Sequence, residues 1–157
     1  MIVVADTSPL NYLILIEEID VLRKLYGRIL IPPAVRNELL QPGTPPSVIE
    51  WMRNQPPWLE IQSPVSTTLE FSVPLDPGET AAIALAEELQ AHQIILDEDL
   101  GRQEAIRRGL SVIGTIGILR DAHRQGYLDI RKAFARLTET NFHISPFILT
   151  KTLKDLA

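Results

Sequence analysis

Asp6, Glu38, Glu79 and Asp97 each stand where a predicted strand or helix ends or turns, so a parallel sheet could gather four carboxylates into one pocket. Such a pocket suits a hard divalent cation, because Mg²⁺ and Mn²⁺ prefer oxygen ligands to imidazole or thiolate. A cation held there can lower the pKa of a water, polarise a phosphate and stabilise the leaving oxygen of an in-line displacement. Without it the carboxylates repel one another, and some should take up protons. Asp6 follows the apolar opening MIVVA, and Asp97 closes the run QIIL before DEDLGRQEAIRRG. Both read as the first residue beyond a buried strand. In open α/β sheets, ligands bind outside the carboxyl ends of strands, where the strand order reverses.

The elements that would position these acids alternate between short apolar runs and helical patterns, the signature of a parallel sheet covered on both faces. IVVA, RILIP, LEIQS, IIL and SVIG read as strands or extended pieces. Ser8 and Pro9 read as the cap and first residue of a helix that runs to about Tyr26, broken near Glu18. Helices are also expected at PAVRNELL, SVIEWMRN, GETAAIALAEELQA and GRQEAIRR, and three more follow from TIGILRDAHRQGY to the end. No repeat or linker interrupts the 157 residues, which read as a single domain completed by the helices from about residue 129.

There is no cysteine, which excludes disulfides, thiolate ligands and a Cys nucleophile. No apolar stretch approaches the roughly 20 residues needed to span a bilayer, so a cytoplasmic location away from membranes is expected. The net charge of −5 conceals an asymmetry: residues 1–100 carry 5 Lys/Arg against 15 Asp/Glu, whereas residues 101–136 carry 8 against 3. The basic segment, Arg102 included, is either a phosphate-holding border to an acidic face or a set of solvated helix faces.

Taken in order, VVADTSPLNYL, PAVRNELL, GETAAIALA, ILDEDLGRQEAIRRG and GTIGIL resemble the PIN-domain family, in particular its VapC-like toxin branch. The resemblance spans nearly the whole chain to about residue 128. It implies a three-layer α/β/α sandwich with a central parallel sheet, and an Mg²⁺- or Mn²⁺-dependent ribonuclease. It further implies an RNA substrate, a cognate antitoxin as partner and a homodimer. Asp6 and Glu38 match the family's first two acidic positions, and Asp97 matches the aspartate after the fourth strand, with Asp99 as an auxiliary acid. Glu79 stands where many members have aspartate. Thr7 and Ser8 supply the hydroxyls commonly found near the first aspartate, and Arg102 is placed on the RNA backbone.

Each residue also has a structural reading. Asp6 and Asp99 can cap helices, and Glu38 can be an exposed charge beside Val35 and Leu39. Asp76-Pro77-Gly78-Glu79 spells a capping box. Trp51 and Trp58 either stack on unpaired bases or form a small satellite core, and His92, His123 and His143 lack ligand spacing. A catalytically weak PIN-like binding or regulatory module is the second function class. A receiver or phosphatase built on an aspartyl phosphate lacks a convincing lysine partner.

Overall fold

Short, mostly apolar runs become strands, and the inner ones are covered on both sides. Val3–Ala5 (β1) and Ile29–Ile31 (β2) are buried at every position, without the in-out alternation of a half-solvated sheet. They join Leu59–Ile61 (β3), Gln93–Ile95 (β4) and Val112–Ile113 (β5) in one parallel sheet of order β3-β2-β1-β4-β5. The structure is a computed structural model and describes residues 1–65, 71 and 73–156. Among these, the helices are Thr7–Leu15 (α1), Val21–Tyr26 (α2), Pro33–Leu39 (α3), Pro46–Arg53 (α4), Pro77–Glu88 (α5), Asp99–Arg107 (α6), Thr115–Arg124 (α7), Ile130–Thr138 (α8) and Pro146–Asp155 (α9). The architecture is the expected three-layer α/β/α sandwich.

The strand order reverses beside β1. The chain steps from β1 through β2 to β3, then returns to lay β4 on the other side of β1, with Ala5 opposite Ile95. The Asp6 N–H donates to the Ile95 carbonyl at 2.9 Å, so the residue after β1 is tied to the end of β4. Asp6 and Asp97 therefore leave the sheet at the same edge, at the reversal where this class of sheet binds its ligands.

Helix α1 starts earlier than Ser8 and Pro9 suggest. Asp6 occupies the cap position with extended backbone, and Pro9 is accommodated within the first turn, where a missing N–H costs no intrahelical bond. The Asp6 carboxylate makes no capping bond. The break after α1 comes where expected, with Glu17 at a φ of 61°. Helix α8 buries Ile130, Ala133, Phe134 and Leu137 on one face, and α9 lies against α8. Trp51 and Trp58 meet with ring centroids 5.9 Å apart and pack on the main core, which is the satellite-core alternative. His123 accepts the Ile130 N–H at 3.2 Å, a role in the α7–α8 turn. No helix among the described residues is long and apolar enough to cross a membrane.

Candidate metal centre

The carboxylates of Asp6, Glu38 and Asp76 each offer an oxygen within 4.8 Å of the others. Three elements deliver them: the end of β1, the last turn of α3, and the residue that caps α5. Packing of α3 on α5 brings the second and third together. Glu38 is held on both oxygens. The Thr7 hydroxyl donates to Oε1 at 2.7 Å, and the Gly78 N–H donates to Oε2 at 2.7 Å. Thr7 thus positions an acid of the pocket. Gly78 is required by space, because a Cβ at that position would lie 2.5 Å from Glu38 Oε1 and 2.6 Å from Oε2. Gly78→Ala should displace the Glu38 carboxylate and weaken Mn²⁺ binding about ten- to a hundredfold, the usual cost of disturbing a ligand's support. Titration calorimetry checks this, and unchanged Mn²⁺ affinity would show that Glu38 does not touch the ion.

Asp6 is buried at 3% exposure, and its Oδ1 has no hydrogen-bond partner. Burial raises its pKa well above the ordinary aspartate value, the charges of Asp76, Glu79 and Glu38 add to this, and the Thr7 N–H opposes it. Glu79 has two roles divided between its oxygens. It completes a capping box with Asp76: its N–H donates to Asp76 Oδ1 at 2.8 Å, and its Oε1 accepts from the Asp76 N–H at 3.3 Å. Its Oε2 is buried without a partner, in a space kept open by Gly101, whose added Cβ would come within 2.6 Å. Burial, then the neighbouring Asp76 carboxyl, push the Glu79 pKa up to about 7. Two orphaned carboxylate oxygens in an all-oxygen donor set are a costly arrangement for a bare protein. They fit a hard divalent cation.

Asp97 is engaged elsewhere. Its carboxylate accepts the Thr115 N–H and the Thr115 hydroxyl, each at 2.7 Å, which ties the end of β4 to the start of α7. Burial raises its pKa, while the Thr115 bonds and Arg102 oppose that shift. Neither Asp97 nor Glu79 is in the group of three drawn within 4.8 Å. Asp99 is exposed in the first turn of α6. Ser8 lines a cleft beside Asp97, and Arg102 lines the same cleft with Nη1 donating to the Leu96 carbonyl at 2.9 Å.

The basic segment is largely spent on internal partners. Arg107 and Arg108 both bond the buried Glu104, and Arg108 also reaches Glu87 at 3.0 Å and lies over the Phe71 ring. Arg136 donates to the Ile16 carbonyl at the end of α1. Asp76 is the pocket residue that sequence reasoning missed. DPGE reads as a helix cap, and nothing local tells that the same carboxylate also meets Asp6 and Glu38.

Glu79→Gln separates the two roles. The amide keeps a capping acceptor and removes the buried charge. Stability in EDTA should hold or rise while Mn²⁺ binding weakens. Lost stability in EDTA with Mn²⁺ affinity intact would make Glu79 a cap alone.

A family model described as DUF3368: PIN domain matches residues 2–157. Neither a curated protein nor a solved structure is found to match the chain. Since the family model covers almost every residue, and the parallel sheet and acidic pocket accord with it, the chain belongs to the PIN-domain family.

Proposed function

We propose that this protein is an endoribonuclease that cleaves RNA phosphodiesters with Mg²⁺ or Mn²⁺ held by its acidic pocket. PIN domains are in general metal-dependent nucleases that act on RNA. The observation that carries the reading is the pair of buried, unpartnered carboxylate oxygens, Asp6 Oδ1 and Glu79 Oε2, around an acid trio at the strand reversal. A binding module without metal would bear the repulsion and desolvation of these acids for no return, which weighs against the weakly active alternative.

The roles follow from position. Asp6, Glu38 and Asp76 hold the cation, with Glu79 completing the set from the capping box. Thr7 and Gly78 keep Glu38 in place through both of its oxygens. Asp97 and Asp99, on the next strand end and helix start, serve the ion's waters. When bound, the cation supplies an activated water and stabilises the leaving oxygen. Arg102, fixed on the Leu96 carbonyl, holds the RNA backbone beside the acids.

The motif resemblance to the VapC-like branch supports a further reading as the toxin of a type II toxin-antitoxin pair, a homodimer restrained by a cognate antitoxin. Incubation of single-stranded RNA with the protein in Mn²⁺ and in EDTA tests the nuclease. Cleavage should occur only with metal, and intact RNA under both conditions would overturn the proposal. Co-expression with the product of an adjacent small gene, read by growth and co-purification, tests the toxin.

A further inference from the structure

A cleft of about 710 Å³ opens beside Asp97, between α1, the starts of α6 and α7, and residues 141–148. Neither Asp6 nor any other acid of the trio lines it. Its volume falls in the range of small-molecule sites, and its lining has two characters. Arg102 and Arg120 contribute cationic lining; Tyr12, Phe142, Ile116 and Ile148 contribute aromatic and apolar lining.

Both kinds of lining are built. Glycine at 114 leaves room for Arg102, since a Cβ there would come within 2.9 Å of its Nη1. Arg120, in the second turn of α7, pairs with its neighbour Asp121 at 3.1 Å and stays partly exposed. The apolar wall is strapped down across the chain. The Tyr12 hydroxyl donates to Asn141 Oδ1 at 2.8 Å, and the Tyr12 and Phe142 rings meet edge to face with centroids 4.9 Å apart. Asn141 and Phe142 are thereby tied to α1, and an aromatic pair and two arginines line one cavity together with Asp97, which stands at the metal centre's edge of the sheet.

We propose that this cleft seats one unpaired nucleotide of a single-stranded RNA, next to the scissile phosphate, with its phosphate on Arg102 and Arg120 and its base against Tyr12, Phe142 and Ile148. The choice of RNA rests on the ribonuclease reading; the cationic and aromatic walls do not. Combining a cationic track with aromatic faces is how sequence-tolerant single-strand sites hold nucleotides. Glu98 and Asp99 in the lining accept hydrogen bonds and repel phosphate, which favours a phosphate on the arginines. An apolar peptide would satisfy Phe142 and Ile148 but bring no anion to either guanidinium group. A duplex cannot present a base to the slot, because its bases are stacked and paired.

The test measures binding of a short fluorescein-labelled single-stranded RNA in EDTA, so that nothing is cut, beside its hairpin duplex. A second copy carries 2-aminopurine, whose fluorescence falls on stacking. The single strand should bind more tightly than the duplex and lose fluorescence. Phe142→Leu should weaken binding about tenfold and abolish the fluorescence loss. Arg120→Ala should flatten the slope of log affinity against log salt by about 0.7. Because Phe142 packs on Tyr12, Ile148→Glu is the variant that keeps folding secure. It places a carboxylate at the rim while completing a capping box with Ser145, whose side chain already accepts the residue 148 N–H at 3.1 Å. It should weaken binding at least as much as Phe142→Leu. Equal affinity of the parent and both Phe142→Leu and Ile148→Glu, or equal binding of duplex and single strand, overturns the cleft. Parent protein that binds as expected yet cuts nothing in Mn²⁺ overturns the nuclease and leaves the cleft standing.

Discussion

Asp6→Asn will remove metal-dependent RNA cleavage while leaving the metal-free protein as stable as the parent or more so. The two halves have one cause. Asp6 is buried among Glu38, Glu79 and Asp76, and burial above all makes its ionised form unfavourable. Asparagine has the same shape and no charge, and its amide can donate to the neighbouring carboxylates, whose oxygens lie within 4.8 Å of Asp6. In EDTA the substitution therefore relieves repulsion. In Mn²⁺ it takes away a charged oxygen ligand, so the loss should exceed the roughly ten- to hundredfold typical of removing a ligand's outer partner. Cleavage of single-stranded RNA, measured beside thermal melts in EDTA, checks both. Cleavage that survives in Asp6→Asn sinks the nuclease reading; a clear loss of stability in EDTA would make Asp6 a structural residue.

The placement of Asp6 at the sheet's edge was legible because strand ends are legible. MIVVA and QIIL are short, apolar and rich in Val and Ile, as buried parallel strands are, and a charge directly after each points to the sheet's ligand-binding edge. The elements and their order could be read from such runs. The way pairs of distant elements share a carboxylate could not. DPGE announces its capping box, and the box is there. Its second use arises only when α3 packs on α5 and Glu38 reaches Gly78, 40 residues away. The same limit applies to the basic segment. Glu104, Arg107 and Arg108 stand at helical pair spacing, so their pairing was foreseeable, but the burial of Glu104 decides that these arginines serve the fold. The cleft is beyond local reading, since Asn141 and Phe142 meet Tyr12 across most of the chain.

The protein should be more stable in EDTA at mildly acidic than at neutral pH, and Mn²⁺ should reverse that order. Glu79 titrates near 7 in the folded protein against an ordinary value near 4.5, and burial is the chief cause. A carboxyl whose pKa is raised by folding stabilises the fold fully below its unfolded value. That contribution is lost as pH rises through the folded value. The window is therefore about pH 4.5 to 7 for Glu79, and Asp6 acts in the same direction. The shift corresponds to roughly 2 kcal/mol once solvent screening on the Asp76 side is allowed for. A cation binds the deprotonated carboxylates, so its affinity falls as pH is lowered and binding releases protons. At a hundredfold excess over its dissociation constant it contributes about 2.7 kcal/mol, which for a domain of this size is a rise of about 5–10 °C in Tm. Melts from pH 5.5 to 8 with EDTA or Mn²⁺, repeated on Glu79→Gln, isolate the contribution. The variant should show a flatter pH dependence in EDTA and a smaller gain from Mn²⁺ at pH 8. A Tm that Mn²⁺ leaves unmoved at pH 8 in the parent means that the gathered acids do not hold a metal, whatever the fold resembles.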